Sequence, residues 1–115
     1  MLNQILAEFL KLDGVFAAVV VGRDGMVIES AVSGKVDTDA LGAMASTGMG
    51  TAEAMGNEPG KGERNQMLVE LEKGPILLSP LSRDELIAIV SDNTGNVGRI
   101  RYELKKNKER IIAAL

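Results

Sequence analysis

The chain has 115 residues, a formal net charge of −3, no cysteine and no histidine. Without cysteine it forms no disulfides and has no thiolate chemistry, and without histidine it lacks the commonest metal ligand and the usual acid–base group. The length predicts one domain over residues 1–115, and 45% hydrophobic residues predict a packed core. The acidic balance argues against general nucleic-acid binding, and the sequence pattern predicts no transmembrane segment and a cytoplasmic protein.

The first third of the chain predicts a helix and then a β-hairpin. Leu2, Ile5, Leu6 and Phe9 form an apolar stripe at helical spacing, and Asp13-Gly14 is expected to end this helix. The β-rich runs 15–22 and 26–32 are joined by Arg23-Asp24-Gly25, and Asp-Gly between two such runs is a strong hairpin signal.

A second helix, with Asp37 as its N-cap, is unusually small-sided and almost uncharged. Residues 40–56 contain four glycines, three methionines and one charged residue, Glu53. Helical spacing predicts that one stripe packs on the sheet: Leu41, Met44, Ala45, Gly48, Ala52 and Met55. Each glycine inside a helix destabilises it by about 1 kcal/mol relative to alanine. We therefore expect close packing against another backbone to offset this loss. We predict that this helix packs on a second copy of itself, the alternative being burial within its own chain.

The second half of the chain predicts three strands and a closing helix. The strands are 65–71, 76–81 and 85–90, and in the first of them Met67, Val69 and Leu71 alternate with Glu70. Asn96 is the expected N-cap of a helix with an apolar stripe: Val97, Ile100, Leu104, Ile111 and Leu115. Hairpin connections favour an antiparallel sheet covered by helices, which is an α+β domain of order αββαβββα.

Patterns typical of catalysis are weak. The segment 56–62 has a spacing one residue too short for a phosphate-binding loop, and Gly62 stands where magnesium binding needs Ser or Thr. Asp37 with Asp39, and Asp84 with Glu85, are better explained by capping and turns than by acid–base work. The sequence therefore predicts no catalytic residue, no cofactor and no metal site, and hence a protein that is not an enzyme.

Basic residues are concentrated near the C-terminus. Between Arg99 and Arg110 there are six basic and two acidic residues, a local charge of +4 that leaves −7 for the rest of the chain. The run is explained either as a solvated helix face or as a docking surface for an acidic protein or anionic lipid.

The whole chain resembles the roadblock family, which includes dynein light chains and, in particular, the bacterial MglB-like GTPase regulators. The resemblance is carried by LDGVFAAVVVGRDGMVIES (12–30), DALGAMASTGMGTAEAMG (39–56), MLVELEKGPILLSPL (67–81) and DELIAIVSDNTGNVGRIRYELKK (84–106). It implies a three-layer roadblock/profilin-like domain with a five-stranded antiparallel sheet of order 2-1-5-4-3, with the middle helix on one face and the terminal helices on the other.

The resemblance also implies a homodimer in which the third strands, here 64–71, pair across a two-fold axis beside the two middle helices. The expected dimer interface comprises Gly42, Ser46, Met49, Gly50, Glu53, Met67, Val69 and Leu71. The expected partner is a small Ras-like GTPase, bound through Ala43, Thr47 and Ala54 on the other flank of the helix. Two alternatives remain at this point: a structural light-chain subunit of a larger assembly, and a small-ligand sensor.

Overall fold

In the described residues, five strands and three helices follow one another in the order predicted from the sequence. The structure is a computed structural model that describes residues 1–57, 66–92 and 96–115. The elements are α1 (Leu2–Phe9), β1 (Val15–Gly22), β2 (Val27–Val32), α2 (Thr38–Asn57), β3 (Met67–Leu71), β4 (Gly74–Pro80), β5 (Glu85–Ser91) and α3 (Val97–Ala113). Most of the loop predicted at 56–62, residues 64 and 65 of the predicted third strand, and residues 93–95 lie outside the described part.

The sheet has the strand order β2-β1-β5-β4-β3 with antiparallel neighbours throughout, which confirms the expected topology. β1 and β5 lie in its middle, and their apolar residues are buried on both faces. β2 and β3 form the two edges, and both are less buried than the central strands.

Side chains of successive strand residues enter two separate cores, because strand side chains alternate between the two faces of a sheet. On one face, α1 and α3 pack over Ala18, Val20, Ile87 and Ile89. On the other face, α2 covers a core of mostly smaller side chains: Ala17, Val19, Val21, Leu78, Leu86 and Ala88. The molecule is therefore a three-layer α+β fold in which α2 is the one described helix on its side of the sheet.

The structure differs from the prediction at the end of α1 and in the hydrogen bonding at the start of α3. α1 ends at Phe9, before Asp13-Gly14, and residues 10–14 form turns in which Gly14 has a φ of +84°. Asp37 caps α2 as predicted, since its Oδ1 accepts a hydrogen bond from the Ala40 amide at 3.0 Å. Asn96 stands directly before α3, but its side chain donates to the Asp13 carbonyl oxygen at 2.6 Å and makes no cap bond.

The stripe by which α2 packs on the sheet differs from the predicted one. The buried residues of α2 are Gly42, Ala45 and Met49, whereas Met44 and Met55 are 72% and 70% exposed. The prediction that Met44 and Met55 face the sheet is therefore wrong. The helix is rotated about its axis by most of a right angle relative to the expectation.

No helix in the described ranges combines the length and the apolar character that crossing a membrane requires.

Candidate interaction surface

The outer side of α2 is a continuous exposed surface without a charged residue. We call it the neutral face, and it consists of Ala40, Ala43, Met44, Thr47, Gly50, Thr51, Ala54 and Met55. The hydroxyls of Thr47 and Thr51 donate to the carbonyl oxygens of Ala43 and Thr47, both at 3.0 Å. Because these polar groups are already bonded within the helix, covering the neutral face with another protein leaves no hydroxyl unsatisfied.

One flank of α2 is held by the hairpin between β1 and β2. Ser46 Oγ donates to the Arg23 carbonyl oxygen at 2.6 Å, and the Arg23 guanidinium forms an ion pair with Glu53. Gly42 lies close to the hairpin, since a Cβ there would be 3.1 Å from Val27 Cγ2 and 3.2 Å from the Gly25 carbonyl oxygen. Gly42 thus permits a close contact within the chain.

The opposite flank of α2 faces the β4 and β3 side of the sheet. A Cβ built at Gly48 would contact Leu78 of β4 at 3.8 Å. Met44 and Met55 lie on the same flank as Gly48, because residues 44, 48 and 55 fall within about 40° of one another at 100° per residue. This flank carries the two most exposed methionines of α2.

The edge strand β3 adds apolar residues next to this flank. Met67 is paired with Leu78, whose side chain belongs to the α2-side core, so Met67, Val69 and Leu71 lie on the α2 face of the sheet. Met67 and Val69 are half-buried and Leu71 is 51% exposed. Since β3 has β4 as its sheet neighbour on one side only, its outer backbone edge is open in the described sheet.

The structure sorts the predicted site residues into three groups. Met49 and Gly42 are buried within their own chain, Met49 in the core under α2 and Gly42 against the β1–β2 hairpin, so their placement in the dimer interface is corrected. Ser46 and Glu53 are bonded to the hairpin. The exposed or half-buried remainder is Gly50, Met67, Val69 and Leu71 from the dimer prediction and Ala43, Thr47 and Ala54 from the partner prediction.

Met44, Thr51 and Met55 belong to the neutral face but are absent from the predicted interface. Met44 and Met55 are identified by the exposure of a large apolar side chain and Thr51 by its place between them, and both observations require the orientation of α2 to be known.

On the other side of the molecule, α1 and α3 are joined by an ion pair. Arg110 Nη2 lies 3.2 Å from Glu8 Oε2, and its Nη1 donates to Asn107 Oδ1 at 2.7 Å. The hydrogen bond from Arg110 lowers the pKa of the Glu8 carboxyl below its usual value. This pair couples the two terminal helices over a separation of 102 residues.

Metal-binding geometry is not found among the described residues, where no three acidic side chains come together closely enough to hold an ion.

Residues 1–91 match the Roadblock/LC7 domain family, and the chain belongs to that family. It is 36% identical over 113 residues to the uncharacterized protein MJ1340 of Methanocaldococcus jannaschii, with 98% of each chain covered. The structure is similar to that of Myxococcus xanthus MglB, with a TM-score of 0.87 at 19% identity over 99% of this chain and 96% of that one. A structure described as MglB with a tetrameric arrangement has a TM-score of 0.87 at 18% identity over 96% of this chain and 84% of the other. Family membership supports a regulatory or scaffolding role.

Proposed function

We propose that the protein is a non-enzymatic homodimeric regulator or scaffold that binds a small Ras-like GTPase. The observation that carries the proposal is the neutral face of α2 lying beside the open, partly apolar edge of β3. Large apolar patches of this kind on a small domain are typical of protein contacts. The sequence resemblance to GTPase regulators supplies the class of partner.

The dimer is proposed to form through β3 and the adjoining flank of α2. Pairing of two β3 strands about a two-fold axis gives each open backbone edge a hydrogen-bonding partner. The same axis brings the Met44 and Met55 flank of each α2 against its copy and buries Leu71 at the join. The similar structure described as MglB with a tetrameric arrangement supports self-association of this fold.

The partner GTPase is proposed to bind on the outermost part of the neutral face. Ala43, Thr47 and Ala54 are exposed, and they lie on the side of the helix away from the sheet. In the proposed dimer the two helices run side by side and present these residues as one broad platform. If the nucleotide state of the partner changes its affinity for this platform, binding shifts the population of its switch loops without a catalytic residue from this chain.

A direct test uses Ras-like GTPases encoded in the same genome, each loaded with GDP or with a non-hydrolysable GTP analogue. We expect one of them to bind the wild-type dimer with a preference for one nucleotide state, measured by isothermal titration calorimetry. Thr47→Arg places an uncompensated charge in the centre of the platform and should weaken binding by about 100-fold, because a buried unpaired charge costs several kcal/mol.

The matched control is Thr38→Arg, at the half-buried start of α2 and outside the neutral face. It should leave GTPase affinity within about twofold of wild type, provided that circular dichroism shows an unchanged fold. Failure of every GTPase to bind the intact dimer would favour a structural light-chain role.

A further inference from the structure

The two flanks of α3 differ in how many of their basic residues form ion pairs. On the flank toward α1, Arg99 Nε pairs with Glu103 Oε1 at 3.3 Å and Arg110 pairs with Glu8. Asn107 joins these pairs, since its Nδ2 donates to the Glu103 carbonyl oxygen at 2.8 Å and its Oδ1 accepts from Arg110. This flank is therefore a connected and largely neutralised network.

The flank toward the sheet carries three basic residues. Arg101, Lys105 and Lys108 follow at i, i+4 and i+7, so they lie on one side of the helix. Within residues 1–57, 66–92 and 96–115, none of the three forms an ion pair. The positive charge seen in the sequence is thus concentrated along this flank, which we call the basic flank.

The basic flank lines a groove between α3 and the β3–β4 side of the sheet. The groove has a volume of about 470 Å³ and is lined by Gln66, Ser79, Gly98, Arg101, Tyr102, Leu104, Lys105 and Lys108. Among the residues that the structure describes, none of those in this lining is acidic. Tyr102, which is 60% exposed, and Leu104 add an aromatic and an apolar surface, and Gly98 leaves one end open because a Cβ there would meet nothing within 4 Å.

We propose that this groove binds an acidic peptide segment of a partner protein. From Gly98 to Lys108 the helix rises about 15 Å, which matches four or five residues of extended chain at about 3.3 Å each. Three cations without an ion-pair partner among the described residues suit carboxylates spaced along a peptide, and Tyr102 offers a ring for an apolar residue between them. A concave groove suits an inserted segment better than a flat bilayer surface.

The groove is independent of the proposed GTPase platform. It lies on the α1 and α3 side of the sheet, whereas the neutral face and its flank lie on the α2 side. Changes to the basic flank should therefore leave dimerisation and GTPase binding unaffected, so the two proposals fail separately.

The test uses a fluorescein-labelled octapeptide of alternating glutamate and serine, titrated with the full chain and followed by fluorescence anisotropy. We expect saturable binding that weakens as the ionic strength rises, because the contact is electrostatic. The double variant Lys105→Gln/Lys108→Gln should weaken it by about tenfold. In amide NMR spectra the peptide should shift Gly98 and Gln66 and leave Thr47 on the neutral face unmoved.

Lys11→Gln/Lys106→Gln is the control because it removes the same charge from positions outside the groove lining. It should change the affinity by less than about twofold. Equal weakening by the two variants, or binding of a peptide with glutamine in place of glutamate at equal strength, would overturn the proposal. Binding to phosphatidylserine vesicles that is lost in Lys105→Gln/Lys108→Gln, with no binding to the peptide, would replace it with a membrane contact.

Discussion

Arg23, in the turn between β1 and β2, is ion-paired with Glu53, which lies thirty residues further along the chain on α2. Together with the hydrogen bond from Ser46 to the Arg23 carbonyl oxygen, this pair holds one flank of α2 against the hairpin. In this orientation of α2, Met44 and Met55 lie on the flank toward β3 and are exposed. The hairpin turn therefore helps to decide which residues of α2 remain available to a partner.

We expect Glu53→Gln to lower the free energy of unfolding by about 1 kcal/mol, because the two side chains are only partly exposed, at 27% for Arg23 and 42% for Glu53. A double-mutant cycle with Arg23→Gln, measured by urea denaturation, should give a coupling energy of about 0.5–1 kcal/mol that falls at high salt. Strict additivity of the two substitutions would show that the pair contributes nothing.

Two glycines of α2 should respond in opposite ways to alanine. Gly42→Ala brings a Cβ within 3.2 Å of the Gly25 carbonyl oxygen, so we expect a loss of about 1 kcal/mol despite the better helix propensity. Gly50→Ala meets nothing within 4 Å and should gain up to about 1 kcal/mol. Thermal unfolding at one fixed protein concentration compares them, and a stabilised Gly42→Ala would contradict the close approach of helix and hairpin.

The proposed dimer predicts that Met44→Lys and Leu71→Lys each dissociate the protein. Each substitution appears twice across a two-fold axis, so it removes apolar contact and adds repulsion, and the dissociation constant should rise by about 100-fold. Sedimentation velocity at micromolar concentration measures this. Met26→Lys changes a methionine of similar exposure, 67%, in the hairpin turn, and it should sediment as wild type. Sedimentation of the wild-type protein as a monomer at this concentration would rule out the proposed dimer.

Arg110→Gln should raise the pKa of Glu8 toward its ordinary value, because the hydrogen bond from Arg110 is the largest cause of the lowering. A depressed carboxyl pKa stabilises the fold at pH above the unfolded value, and that contribution is lost as pH falls through the folded pKa. The variant should therefore show a weaker loss of stability between neutral and acidic pH. Carbon-detected NMR titration of the Glu8 carboxyl measures the pKa, and Lys11→Gln should move it less.

The hairpins and the order of elements could be predicted because their signals are local. Gly25 adopts a φ of +88° and its amide donates to the Gly22 carbonyl oxygen at 2.9 Å, as the Asp-Gly turn requires. The strand order was available only through the family resemblance, since adjacency of β1 and β5 depends on residues some seventy positions apart.

The rotation of α2 was not predictable from hydrophobicity. Spacing placed Met44 and Met55 toward the sheet, because an exposed apolar residue and a core residue look alike in one sequence. The structure instead buries Gly42, whose lack of a side chain permits close approach to the hairpin. The basic run of α3 likewise did not show which of its residues share a surface. Lys105 and Lys106 are neighbours in sequence, but of these two only Lys105 lines the groove.

The single sheet keeps the α2 surface and the α3 groove on opposite sides of the domain. Two proteins bound at these places would not collide, and neither would have to leave before the other arrives. A chain arranged in this way is suited to hold two different molecules at a short, nearly constant separation.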